Sequence, residues 1–231
     1  MRGVRHSGSP FPKPGKSRSV HFVQWLAFAG IAAPIFFTAV VILQGLLQPD
    51  YSHVAMPISA LAAWPYGWIQ RLNFFVFGTL MSAYAVGLHR AVRPGRGGAL
   101  AFMLLLVSAT GIVLAGVFSW ARSPDGGFFE PIGHVVAAFM TFLGAGSALV
   151  AISRQMAGDP NWRSLSRYVL ACGGTILVLF PIMGALAMRD GAPLHGVAGL
   201  LQRAILIVWF PCTLVLSMRL LHVSRTARQP A

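Results

Sequence analysis

The sequence predicts an all-α fold: a polytopic membrane helical bundle with six transmembrane helices and both termini in the cytoplasm. Three observations carry that reading. Charged residues make up only 10% of the 231-residue chain against 56% hydrophobic, with a mean hydropathy of +0.68, too little charge to cover a soluble domain of this size. The apolar residues gather into runs near or above the ~20 residues needed to cross about 30 Å of hydrocarbon. Basic residues then fall unequally on alternate sides of those runs, as the positive-inside rule requires.

Residues 1–21 carry Arg2, Arg5, Lys13, Lys16 and Arg18 among Gly, Ser and Pro, too polar to bury a core, and read as a disordered basic cytoplasmic tail. The run at about 22–47 is too long for a signal-peptide core and lacks a small-residue cleavage site behind it, which makes it an uncleaved first helix. Further spans follow at about 68–90, 98–120, 132–152, 166–187 and 197–220, separated by segments rich in Pro, Gly, Asp and Arg. They complete a transmembrane domain over 22–222, and 223–231 forms a second short basic tail. Pro34, Pro181 and Pro211 lie inside spans, where neighbouring helices re-satisfy the freed carbonyls.

Fourteen of the eighteen Lys and Arg residues sit on the side of the two tails, and only Arg71, Arg122, Arg189 and Arg203 on the other. The segments near 48–67, 121–131 and 188–196 therefore face outward. A net charge of +13 spread along membrane flanks is topological, so nucleic acid is not an expected partner. Membrane lipids are. Trp25, Trp64, Trp68, Trp120 and Trp162 fall near span ends, as interfacial anchors do. Gly111/Ala115 and Gly144/Ala148 have the small-residue spacing of close helix packing, within the bundle or in a homo-oligomer. Cys172 and Cys212 lie inside different spans and read as free thiols.

The outer segments hold the candidate functional residues. Each combines Pro, Asp and His, and Gly67-Trp68-Ile69-Gln70-Arg71 echoes Gly199-Leu200-Leu201-Gln202-Arg203, which suggests duplicated hairpins. Arg203 lies ~9 Å into its span at 1.5 Å per residue and needs water, the interface or an acid such as Asp125, Glu130 or Asp190. Arg71, beside Gln70 and Asn73, poses the same problem nearer the surface. Both arginines snorkelling to fix topology is one reading. A polar pocket formed with Ser59, Asn73, Asp125, Glu130, His134, Asp190, His195 and Gln202 is the other. His53, His134 and His195 share a side and could offer three imidazoles to zinc, but no paired-ligand spacing places two of them on one helix face, so no cofactor is predicted. Ser59 has no Gly-x-Ser-x-Gly elbow around it and is expected to cap a short interfacial helix running toward Trp64.

Pro57-Ile58-Ser59-Ala60-Leu61-Ala62, then Trp68-Ile69 and Phe74 to Gly78, with His134 opening the fourth span and Arg203 early in the sixth, resemble a bacterial membrane family known as domain of unknown function 998. The resemblance spans roughly residues 25–220 and implies a six-helix bundle in a bacterial cytoplasmic (inner) membrane, without supplying a reaction. In that family an acid often follows the loop serine and another precedes the sixth-helix arginine. Ala60 and Gln202 stand at those positions here, which counts against any acid-dependent activity of relatives.

The function expected first is binding of a lipid headgroup or small anionic ligand in the outer polar pocket. A metal-assisted hydrolase of a lipid amide or ester is the alternative. Transport comes last, because no acid lies at mid-membrane to couple a proton.

Overall fold

The computed structural model describes residues 14–48, 50–92, 96–188 and 191–226. Its six long helices are α1 (Pro14–Leu46), α2 (Gly67–Ala91), α3 (Arg96–Val117), α4 (Ile132–Ala157), α5 (Ser166–Leu186) and α6 (Ala198–Thr226). All six are long and apolar enough to cross a membrane. Ile35, Leu43, Met103, Phe139 and Ile207 lie on their outer faces at 52% to 71% exposure, a surface that hydrocarbon accepts and water does not. The chain is an integral, multi-pass membrane protein.

Each helix packs on the next in sequence, and α6 returns to α1 and α5 to close the ring, with α2 also reaching α6. Short connections make neighbours antiparallel. The centre is aromatic: Phe37 lies 4.7 Å from Phe77 and 5.8 Å from Phe210, and the buried Trp209 touches Phe77, Phe142 and Phe210. Offset and edge-on ring pairs supply the packing enthalpy that a membrane interior must use in place of the hydrophobic effect.

Small residues set how close the helices come. A Cβ on Gly111 would lie 2.7 Å from the Ala137 carbonyl and the Thr141 nitrogen, and one on Gly144 would lie 3.0 Å from the Ser108 nitrogen. The Ser108 hydroxyl donates to the Thr141 carbonyl at 2.8 Å across the same seam. Ala115 and Ala148 are buried as well. These faces pack within the chain itself. A Cβ on Gly173 would come within 2.7 Å of the Gly146 carbonyl, whereas one on Gly184 would meet nothing within 4 Å. The backbones of α4 and α5 thus touch near Gly146 and Gly173, and toward the other end of α5 a cleft lined by Val135, Ala138, Pro181 and Gly184 lies between them.

Several boundaries differ from expectation. Helix α1 begins at Pro14 rather than near residue 22, with its membrane-length stretch starting at His21; residues 1–13 lie outside the described residues. Helices α4 and α6 run past the apolar stretches to Ala157 and Thr226, because backbone hydrogen bonding continues into the polar flank wherever no breaker intervenes. Between α3 and α4 the chain forms a hairpin of β1 (Ala121–Arg122) and β2 (Phe128–Phe129), paired Ala121 with Phe129 and Arg122 with Phe128. The turn holds Asp125 and Gly126, the latter at φ +88°, and Asp-Gly was the signal for it. Trp25 and Trp68 are 73% and 61% exposed, as interfacial anchors should be. Trp64 and Trp162 are instead buried, filling the ends of the bundle.

Candidate functional site

The loops 47–66, 118–131 and 187–197 share one end of the bundle, the capped end. Its centre is the start of α6. Gly199 lacks a side chain where one would strike the Met56 carbonyl and approach those of His53 and Val54, and the Leu200 N–H donates to the Val54 carbonyl at 3.0 Å. That close approach lays residues 51–57 across the helix end. Arg203, about 8 Å further along α6, reaches up into them. Its Nη1 donates to the Gly199 carbonyl at 2.9 Å and the Met56 carbonyl at 3.2 Å, and its Nη2 to the Tyr51 hydroxyl at 2.8 Å and to His53 Nδ1 at 2.9 Å. All four acceptors are neutral. The guanidinium is thus held in place by its hydrogen bonds without its charge being cancelled by them.

Tyr51 and His53 answer to that charge. His53 accepts from Arg203, which requires an unprotonated Nδ1, and burial together with the Arg203 charge holds its imidazole below the usual value. Burial pushes the Tyr51 phenol up, Arg203 opposing. Tyr51 sets its edge on Trp64, Trp64 stacks on Phe128 of the hairpin at 4.7 Å, and Arg122 lies over both Trp64 and Phe128. The hairpin is thereby clamped onto the cap. Below the Arg203 head a groove of about 390 Å³ runs between α1 and α6, with His53 and Arg203 at one end and Phe37, Val41, Ile42, Leu206, Ile207 and Phe210 along it.

One residue before Arg203, Gln202 turns the other way. Its Oε1 accepts the Ile58 N–H and so positions the short 3-10 helix Ile58–Ala63. Ser59 is buried in that helix and does not cap it: Pro57 holds the cap position and no side chain bonds there. Ser59, Gln202 and His134 instead line a cavity of about 50 Å³ walled by Phe37, Phe74, Phe77, Phe142 and Trp209. The same three residues, with Glu130, form one end of a larger cleft of about 490 Å³ between α4, α5 and α6. His134 Nδ1 lies 3.0 Å from the Phe118 carbonyl. A carbonyl only accepts, so Nδ1 carries the proton and Nε2 of the neutral ring is an acceptor. Burial pushes the Glu130 carboxyl above its usual range, and the nearby Trp120 indole partly opposes this.

The structure therefore brings Ser59, Glu130, His134 and Gln202 together, with Arg203 on the neighbouring face of α6. Among the described residues it does not bring in the others. Asn73 is buried in the α1–α2 seam, donating to the Phe37 carbonyl at 3.3 Å and Gln70 Oε1 at 3.4 Å. Arg71 is exposed on α2. Asp125 is exposed at the hairpin turn, its carboxyl held below the usual range by the Ser123 hydroxyl and the Gly127 N–H. Neither Asp125 nor Glu130 is among the hydrogen-bond acceptors of Arg203, a role that the neutral groups of residues 51–56 and Gly199 take instead. Asp190 lies outside the described residues. His195 Nδ1 meets the Ala187 carbonyl at 3.2 Å. The three histidines considered for zinc each face a different partner, and among the described residues no three His, Cys, Asp or Glu side chains gather where a metal ion could be held. Tyr51 and Phe128 were missed, and Trp64 and Trp120 were read only as interfacial anchors; aromatics in a polar outer loop were their only signal.

The echo between residues 67–71 and 199–203 proves half structural. Gly67, like Gly199, admits a backbone carbonyl, that of Ala62. The arginines diverge, one exposed and one turned into the cap.

The family model described as Protein of unknown function (DUF998) matches residues 31–218. No curated protein and no solved structure matches the chain.

Proposed function

Since the chain belongs to the DUF998 family of proteins of unknown function, an activity has to be argued from its own geometry, and we propose that it binds an anionic lipid, headgroup at Arg203 and acyl chain along the α1–α6 groove. The carrying observation is the Arg203 guanidinium, fixed by four neutral acceptors at the head of an apolar groove. A charge that the described residues of its own cap leave uncancelled in a low-dielectric setting attracts an anion far more strongly than one in water. Preorganisation by Tyr51 and His53 lowers the entropy lost on binding. The groove volume falls in the usual range for small-molecule sites. With basic residues concentrated at the opposite end, the capped end faces away from the cytoplasm and both termini lie within it, in a cytoplasmic (inner) membrane.

The reading is checked by thermal unfolding of the detergent-purified full chain against phosphatidylglycerol, phosphatidylcholine and inorganic phosphate. Phosphatidylglycerol stabilises the wild type most, because a ligand bound only by the folded state raises its stability by mass action. Inorganic phosphate alone stabilising it equally would assign the site to a free anion. Arg203→Ala abolishes the shift. Because that change also strips donors from the cap, Thr38→Trp, at a residue of α1 that lines the groove away from the cap, is its companion and abolishes the shift too. Equal stabilisation by both phospholipids, or a shift surviving in both variants, overturns the reading.

A further inference from the structure

The cleft between α4, α5 and α6 shares no lining residue with the Arg203 groove, and its chemistry is different. From His134 to Phe142 it follows α4 for about 12 Å, passing from Ser59, Glu130, His134 and Gln202 at the capped end to Phe139, Phe142 and Phe180 deeper in the bundle. Phe139 is 52% exposed, so this wall of the cleft reaches the lipid-facing surface. The cause is the parting of α4 and α5 beyond their contact at Gly146 and Gly173, where a Cβ on Gly184 would meet open space.

Among the described residues the polar end has no lysine or arginine in its lining, and its one acid is Glu130. An anionic headgroup would find no counter-charge there and would face a carboxyl. A neutral group finds complementary partners. Gln202 keeps its amide N–H donors free of the Ile58 bond, which uses Oε1; the Ser59 hydroxyl can donate or accept; and His134 Nε2 accepts in the tautomer set by the Phe118 carbonyl. A hydroxyl and an ester carbonyl side by side match that set, and apolar chains match the aromatic wall.

We propose that this cleft is a second binding site, which admits a neutral amphiphile bearing a hydroxyl and an ester carbonyl, of the diacylglycerol class, sideways from the bilayer. The site goes beyond the Arg203 groove and does not depend on it.

The test uses the full chain in phosphatidylcholine nanodiscs with a diacylglycerol carrying a photoreactive diazirine in one acyl chain, followed by peptide mapping of the cross-links. Label concentrates on the α4 and α5 peptides containing Phe139 and Met183, and unlabelled diacylglycerol competes it away. Gly184→Trp, which fills the cleft, lowers that labelling at least fivefold, and Ala185→Phe does so independently should the first variant fold poorly. Thr38→Trp leaves the labelling unchanged, separating this site from the groove. Labelling spread evenly over the lipid-facing helices, labelling indifferent to both fillers, or competition by phosphatidylglycerol in place of diacylglycerol overturns the proposal.

Discussion

Arg203 and Gln202 are adjacent in sequence yet serve different faces of α6, because successive residues on a helix are rotated by about 100°. Arg203 carries the charge of one proposed site, and Gln202 lies at the polar end of the other while holding Ile58. Gln202→Leu leaves the Ile58 N–H without that acceptor, which costs about 1–3 kcal/mol and is measured as a loss of thermal stability in detergent. His53 gives the cap a pH dependence. Its folded-state pKa lies below the ordinary 6.5, so between those two values the unfolded chain binds a proton that the folded chain refuses. Stability from this group is present above pH 6.5 and is lost as pH falls through the lowered pKa. Unfolding followed from about pH 7.5 to 5 therefore shows a steeper acid-side loss in the wild type than in His53→Gln, which keeps an acceptor for Arg203 but does not titrate. Equal slopes would remove His53 as the source. None of these partnerships was legible in the sequence. Arg203 was visible as costly, and acids were the natural partners to expect, yet backbone carbonyls and a phenol took that role because Gly199 lets residues 51–57 approach the helix.

At the scale of elements, the α4–α5 pair decides whether the cleft exists. Gly146 and Gly173 act as its pivot. Gly173→Val forces a Cβ bearing two methyl groups against the Gly146 carbonyl and Leu149 and costs about 1–3 kcal/mol by overpacking. Gly184→Val, in open space, stays within about 0.5 kcal/mol of the wild type. Reversible denaturation in mixed micelles compares the two, and similar losses would mean that the helices do not part as described. The spans themselves were legible, since apolar length and flanking breakers are local properties. The β1–β2 hairpin was missed although Asp125-Gly126 announced a turn, because its strands are two residues each and draw their stability from the Trp64–Phe128–Arg122 stack rather than from any pattern of their own.

For the whole molecule the central prediction is sidedness. Gly127→Cys, on the hairpin, reacts with a membrane-impermeant maleimide on intact cells, while Arg225→Cys at the far end of α6 reacts only after permeabilisation. Cys172 and Cys212 are buried and contribute little background. Labelling in the reverse order would invert the assignment of the two ends and place both proposed sites toward the cytoplasm. The sequence by itself determined that this chain spans a membrane six times, because transfer into hydrocarbon depends on the length and composition of each run and on little else. It also determined which end is rich in charge. Only the tertiary structure decided that Ser59, Glu130, His134 and Gln202 meet while Arg71, Asn73 and Asp125 do not. Convergence depends on the rotation and spacing of whole helices, which close glycine contacts and loop carbonyls set between residues far apart in the chain.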